Sequence, residues 1–347
     1  MPEYNGCLKI WSAHRVRRRR QELYRHSLVL LSTLLFGISF SCLAAPISPG
    51  SDEIAARAAL ARSLSGGKLL WVNDNKIRFT TLDNWRPVVV TEKQHAEYRP
   101  RWSPDGRKIV FRRGRASIFI MNSDFTNKTK VLSGAHTPDW TGDGRAVTGI
   151  SADGYRVLKY DLKTKKTSVI YDAKTSGFNG QRISQTAELH ISGQYLLIFR
   201  ETPKHATEIV DLKNKRYLAN DEMLRGDCKP AWAPDGTYFV TTARTGSRPV
   251  LRAEFDSTSG ALGTSHHLVG MDTLIRYYAH DARVSNDGKW LVFGGKILIG
   301  PGMFGRREIY IWRIGNPEKD LVRLTFDTGE DGEPSLFVPD SADAPTG

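Results

Sequence analysis

The chain has 347 residues and a formal net charge of +13, from 50 Lys and Arg residues against 37 Asp and Glu residues. This length allows one large all-β domain or two smaller domains. Seven of the basic residues lie within residues 1–44, and the others are spread without a basic run. We therefore expect no nucleic-acid partner, since such a protein needs a clustered basic patch. Attraction to an acidic surface, such as anionic lipid or a polyanionic glycan, stays open.

Residues 1–44 have the pattern of a secretory signal. A basic run at residues 15–20 precedes the apolar stretch from Ser27 to Leu43, and small residues follow before Pro46. This order predicts a signal peptide cleaved after Ala44. The apolar stretch is also long enough to remain as an uncleaved membrane anchor. Either outcome predicts a periplasmic or otherwise extracytoplasmic protein, with membrane contact only through this segment if it is uncleaved.

Residues 45–65 form a short connector, in which Asp52 to Leu64 can make one small helix. The first clear repeat unit follows at Arg99 to Asp124. It contains Trp102, then the turn Ser103-Pro104-Asp105-Gly106, then two short strand-like runs. Pro presets φ, Asp bonds its own backbone, and Gly takes the left-handed position of the turn. The runs on either side are β-branched and aromatic, which predicts strands.

The unit recurs along the chain at the spacing of a propeller blade. The turn glycines are separated by 38, 49, 43 and 52 residues: Gly106, Gly144, Gly193, Gly236 and Gly288. The copy around Gly193 is degenerate. A β-sandwich with recurring turns is the alternative, but a regular period of this length favours a propeller.

The two ends of the repeat region complement each other. Gly66 to Asp83 lacks a first strand, whereas Glu333 to Ser341 is a first strand with nothing after it. We therefore predict an all-β, six-bladed β-propeller over residues 66–341, closed by a C-terminal strand that completes the first blade, with a tail at 342–347. Closure leaves no long exposed sheet edge.

The string Pro-x-Trp-Ser-Pro-Asp-Gly at Pro100–Gly106, with its relative at Pro230–Gly236, resembles the repeat of the TolB-like propeller family. The segment Leu324 to Pro334 is similar to the link between repeats in that family. The resemblance covers residues 66–341 and implies a periplasmic protein-binding propeller. TolB itself carries an α/β domain before its propeller, and the connector at 45–65 is too short to supply one.

The first strand of each blade lines the channel, so the residue before the repeat's Pro is a candidate for the channel mouth. Aligning the turns gives five such residues and four that precede them: Arg99, Thr137, Lys229, Asp281 and Glu333, with Tyr98, His136, Cys228 and His280 one step earlier. In the degenerate fourth blade, Glu188 or His190 is expected nearby. This charged ring can hold a peptide with a charged end through charge-assisted hydrogen bonds. It can also hold a divalent cation through Asp281 and Glu333 with a histidine, or its members can simply pair across blades.

Recognisable catalytic motifs are absent: there is no Gly-x-Ser-x-Gly elbow, no His-Glu-x-x-His and no P-loop. We therefore expect an exported scaffold, more a binding protein than an enzyme, with an envelope protein or peptide as its partner. The alternative is a metal-dependent carbohydrate-active enzyme, a lyase or hydrolase acting on an anionic glycan. No cofactor is indicated beyond the divalent cation that this alternative requires.

Overall fold

The computed structural model describes residues 49–340 except for 92–93, 176–181, 201–205, 219–227, 243–248, 270–278 and 301–302. For residue 228 and residues 297–300 and 303–304 it describes the backbone alone. The predicted leader and the tail at 342–347 lie outside the described residues. No helix in the described ranges is long and apolar enough to cross a membrane.

The described chain has one α-helix, one 3-10 helix and 24 strands. The helix α1 spans Ser51–Ser63, within the predicted connector, and the 3-10 helix spans Glu318–Asp320. In chain order the strands are β1 (Lys68–Asn73), β2 (Lys76–Thr81), β3 (Val88–Val89), β4 (Glu97–Trp102), β5 (Lys108–Arg113), β6 (Ser117–Asn122), β7 (Thr129–Ser133), β8 (Ala135–Trp140), β9 (Ala146–Ser151), β10 (Arg156–Asp161), β11 (Thr167–Asp172), β12 (Ile183–Leu189), β13 (Tyr195–Arg200), β14 (Ala206–Asp211), β15 (Arg216–Leu218), β16 (Cys228–Trp232), β17 (Tyr238–Thr242), β18 (Val250–Asp256), β19 (Ala261–Val269), β20 (His280–Val284), β21 (Trp290–Gly300), β22 (Met303–Arg313), β23 (Val322–Arg323) and β24 (Asp331–Phe337).

The strands form six antiparallel sheets of four, which are the six predicted blades. Five blades use consecutive strands, from β4–β7 to β20–β23, and the first has the order β24-β1-β2-β3. In that blade Leu336 pairs with Leu69 and Phe337 with Lys68. Neighbouring inner strands contact one another around the whole ring, including β20 with β24 and β24 with β4. The prediction of closure by the C-terminal strand is confirmed.

The repeat's turn is held by its own side chains. Asp105 Oδ1 accepts hydrogen bonds from Ser103 Oγ at 2.5 Å and from the backbone N–H of Arg107 at 3.1 Å. The same arrangement joins Thr141 to Asp143 at 2.6 Å in the next blade. These local bonds fix the hairpin between the first two strands of a blade, because the backbone donors of the turn already have partners.

The core consists of six apolar clusters, and each lies between two neighbouring blades. The cluster between the last and first blades contains Leu336 of β24, Trp71 of β1 and Ile311 of β22, and Leu60 of α1 packs into it. The cluster between the first and second blades contains Phe337 and Trp102. Adjacent residues of β24 therefore belong to two different clusters, so this one strand joins the blades on both sides.

The turn glycines allow a paired test of this packing. Gly106 has φ +66°, and a Cβ there would lie 2.3 Å from the Phe337 ring, whereas Gly193 has φ +74° and open space around it. We expect Gly193→Ala to cost about 1–2 kcal/mol, the strain of a left-handed residue. Gly106→Ala should cost roughly 1–3 kcal/mol more, because it also overpacks the Phe337 site. Urea unfolding of both variants measures the difference, and equal losses would contradict the contact.

Candidate functional site

A strained residue lies near the start of every inner strand. In the described inner strands, six non-glycine residues, one from each blade, have φ between 51° and 62°: Arg99, Thr137, Gln185, Lys229, Asp281 and Glu333. We call this set the bulge ring, and the channel end where it lies the leading mouth. Left-handed backbone in non-glycine residues costs about 1–3 kcal/mol each and clusters at functional sites. The recurrence of this left-handed backbone in all six blades shows that it is a regular feature of the leading mouth.

A β-bulge produces this conformation. In β4, Tyr98 pairs with Arg112 and Arg101 with Val110, so Arg99 and Pro100 together face one residue of β5. The same shift occurs between His136 and Asp139 in β8. A bulge leaves a residue outside the ladder, which explains why the repeat tolerates Pro at this position. The bulge also frees the N–H of Arg99, which donates to Glu333 Oε2 at 2.7 Å.

The fourth blade contributes Gln185, which sequence alignment did not find. Between Ile183 and Ala187, β12 carries three residues opposite one, so its bulge has one residue more than the others. The repeat's turn therefore no longer indicates the position. In the structure a buried residue lies two places before the bulge residue, as at Glu97, Ala135 and Ile183, but these residue types share no signal that the sequence shows. Glu188 lies deeper in the channel, and His190 belongs to the turn.

The structure pairs the charged members of the ring across blades. Arg99 Nε lies 3.5 Å from a Glu333 carboxylate oxygen, and Arg99 Nη1 donates to the carbonyl oxygen of Gln185 at 2.5 Å. Lys229 Nζ lies 2.7 Å from the Asp281 carboxylate. Burial alone would raise the pKa of Asp281, but Lys229 and Arg99 outweigh it and hold that pKa below its ordinary value. Two cations and two anions thus cancel within the ring.

The residues one step before the ring surround it. His136 Nδ1 lies 2.9 Å from Thr137 Oγ1. Burial, with the positive charges of Arg99 and Arg112, lowers the pKa of His136 to about 4, so its ring is neutral at neutral pH. His280 opens β20 and is partly buried.

Tyr98 supports a cation that sequence reasoning missed. The guanidinium of Arg112 lies 4.3 Å from the centre of the Tyr98 ring, a cation–π contact across the β4–β5 pair. Among the described residues, no carboxylate lies within ion-pair distance of Arg112. Burial lowers its pKa, and Glu333 opposes this from a distance. Arg112 therefore adds a positive charge beside a ring whose own charges cancel.

A second charged layer lies two residues further along the inner strands. Arg283 Nη1 is 3.1 Å from Asp139 Oδ2, and it also contacts the Glu188 carboxylate. Arg101 of β4 belongs to the same layer and is 4% exposed. Burial raises the pKa of Glu188 to about 8, Arg283 opposes that rise, and Asp139 adds to it.

The acidic groups that come close enough to share a metal ion are elsewhere. Among the described residues they are Glu308, Asp327 and Asp331, at the link between the last and first blades. Asn73 Nδ2 donates to Asp327 at 2.9 Å and to Asp331 at 2.7 Å, and Arg323 pairs with Glu308 at 2.9 Å. The set considered from the sequence, Asp281 and Glu333, instead pairs with Lys229 and Arg99.

The arrangement of the blades around the charged channel defines a six-bladed β-propeller. Comparison with known proteins shows which propellers it resembles. No family model matches the chain. The Tol-Pal system protein TolB of Alcanivorax borkumensis is 34% identical over 103 residues, which are 25% of this chain and 24% of that protein. The chain thus matches about a quarter of the length of this curated relative.

Two solved structures share the architecture. TolB from Acinetobacter baumannii has a TM-score of 0.57 at 14% identity and covers 83% of this chain and 72% of its own. A chain of a nidogen/laminin complex has a TM-score of 0.56 at 11% identity, and the match covers 78% of this chain and 98% of that chain. At these identities the likeness concerns the fold alone. The protein is a six-bladed β-propeller, and part of its sequence is similar to TolB.

Proposed function

We propose that this protein is an exported propeller that binds a segment of an envelope protein at its leading mouth. The observation that carries the proposal is the bulge ring, in which six blades each hold a strained polar residue at one channel end. Strain repeated at one place is retained where it positions side chains for recognition.

The charges at the mouth favour an acidic segment. The ring pairs its own charges, but Arg112 adds a cation whose planar face is fixed by Tyr98. A guanidinium held in this way offers paired donors to a carboxylate. We therefore expect the bound segment to present an Asp, a Glu or a C-terminal carboxylate near Arg112 and Arg99.

Two further observations support export and an envelope partner. Residues 1–44 have the order of basic run, apolar stretch and small residues that secretory signals share. The curated relative belongs to the Tol-Pal system by its name.

Charge reversal at the mouth tests the proposal. We expect Arg99→Glu/Lys229→Glu to weaken capture of envelope partners by more than about tenfold, because disrupting charged contacts at an interface costs roughly 2–5 kcal/mol. Quantitative mass spectrometry after pull-down from envelope extracts measures the change. Lys163→Glu/Lys166→Glu, on an exposed turn of the third blade, is the matched control for net charge.

Arg112→Gln provides a milder test, since it leaves both ion pairs of the ring intact. We expect it to lower capture as well, without changing the thermal unfolding midpoint of the propeller by more than a few degrees. Full capture by both variants would show that the leading mouth is not the binding site.

A further inference from the structure

A cavity lies at the opposite end of the inner strands from the bulge ring, and we call it the turn-end cavity. Its volume is about 340 Å³, and its wall contains Trp102, Trp140, Trp232, Leu189 and Ile191, with the charged layer at its base. Ile191 is 52% exposed at its rim. Cavities of this size are at the lower end of those that hold small organic ligands.

Arg101 at the base of this cavity has an unusual set of partners. Its Nη1 donates to the main-chain carbonyl oxygens of Pro100 at 2.8 Å, Glu333 at 3.3 Å and Pro334 at 3.5 Å. Its Nε is buried and has no hydrogen-bond partner among the described residues, and the hydrogen bonds of its side chain to those residues all come from Nη1. Nε and Nη2 form the edge of a guanidinium that binds a carboxylate through two parallel hydrogen bonds.

The neighbouring guanidinium shows what Arg101 lacks. Arg283 contacts two carboxyl groups, Asp139 and Glu188, whereas no described carboxylate lies within ion-pair distance of Arg101. Burial and the charge of Arg283 lower the pKa of Arg101 to about 10, so it stays protonated at neutral pH. Asp139 and Glu333 act on Arg101 only from beyond ion-pair distance, and an anion at the free edge would compensate this buried cation more directly.

We propose that the turn-end cavity binds a carboxylate attached to an apolar group, with the carboxylate on the Nε/Nη2 edge of Arg101 and the apolar group against the tryptophan-lined wall. A single negative charge suits the base, because Asp139 lies close by and would repel a dianion such as phosphate more strongly than a monoanion. The carboxylate can come from a small organic acid or from the C-terminal residue of a peptide. This site is separate from the leading mouth and does not depend on the function proposed there.

Two matched ligands test the charge requirement on the unaltered protein. N-acetylphenylalanine carries the carboxylate, and N-acetylphenylalaninamide has the same shape without it. Isothermal titration calorimetry should show the acid binding at least tenfold more tightly than the amide. Equal affinities, or no heat of binding from the acid up to millimolar concentration, would overturn the proposal, and so would tighter binding of phenyl phosphate. A pentapeptide ending in a free phenylalanine distinguishes the sources: equal affinity assigns the site to peptide C-termini, and exclusion assigns it to small acids.

Two pairs of variants test the location. Arg101→Gln should lower affinity for the acid at least tenfold, whereas Arg115→Gln, on an exposed turn of the same blade, should not change it. Ile191→Glu places a negative charge at the rim and should weaken the acid at least fivefold. Its control is Val169→Glu, which alters an equally exposed position on the third blade. If Arg101→Gln does not fold, the Ile191 pair and the acid–amide comparison still decide, and unchanged affinity in Ile191→Glu contradicts the site.

Discussion

A chain that ends at Glu330, and so lacks β24, should fail to fold cooperatively. The missing strand carries the inner edge of the first blade, where it pairs with β1. Without it, β1 becomes an exposed edge in the middle of the ring, and such an edge promotes aggregation. We expect no sharp thermal transition, rapid proteolysis and a tendency to aggregate.

The size of the effect follows from the side chains that leave with the strand. Leu336 and Phe337 each belong to a different interblade cluster, and truncating a buried residue of this kind costs about 2–5 kcal/mol. Asp331, which is buried and accepts a hydrogen bond from Trp71 Nε1 at 3.1 Å, is also lost. These losses together reach the whole stability of a typical domain, about 5–15 kcal/mol.

A chain that ends at Asp340 is the matched control, because it keeps β24 and loses only residues 341–347. Circular dichroism melting and limited trypsin digestion compare the two. Adding a synthetic peptide of residues 331–340 to the shorter chain should restore part of the cooperative transition. A shorter chain that melts like the control would show that closure of the first blade contributes little to stability.

The closure was predictable because each end of the repeat region shows its own defect. The run from Gly66 lacks a first strand, whereas Glu333 to Ser341 is a first strand with no strands after it. Only pairing of these two segments buries both. Alignment of the repeat's Pro and turn had selected five of the six bulge-ring residues as channel-mouth candidates, but it did not predict the bulge. Gln185 was missed because one additional residue in the β12 bulge breaks the spacing.

The contacts of the site were not predictable from the sequence. Arg112 faces Tyr98 only because of the β4–β5 register, which the bulge shifts by one residue. Arg283, Asp139 and Glu188 lie on three different blades, and Arg283 is 144 residues from Asp139 along the chain. A short sequence pattern cannot indicate a contact between residues so far apart in the chain, because closure of the ring is what brings the inner strands together.

A substitution in the charged layer of Arg283, Asp139 and Glu188 should have the second large effect on stability. Replacing Arg283 by Met should destabilise the propeller by about 3–5 kcal/mol at pH 8, because the variant leaves Asp139 and Glu188 buried without their cation. Arg156→Met is the control. It removes an ion pair with Asp153 whose side chains are 46% and 42% exposed, and it should cost no more than about 1 kcal/mol.

The loss should depend on pH with a definite sign. Burial, opposed by Arg283 and reinforced by Asp139, raises the pKa of Glu188 to about 8 in the folded protein. A carboxyl group whose pKa is higher in the folded state stabilises the fold at low pH, and that contribution is lost as pH rises through the folded value. Removing Arg283 raises this pKa further, so the difference in unfolding free energy between wild type and variant should stay nearly constant below about pH 7 and grow as pH rises through 8.

Urea unfolding at pH 5, 8 and 9.5 measures this difference. Glu188→Gln introduced into the Arg283→Met chain should recover much of the stability at pH 8 and little at pH 5, because it removes the group that must otherwise bind a proton. A loss that is the same at all three pH values, or that the second substitution does not reduce, would show that Arg283 acts through packing and not through its charge.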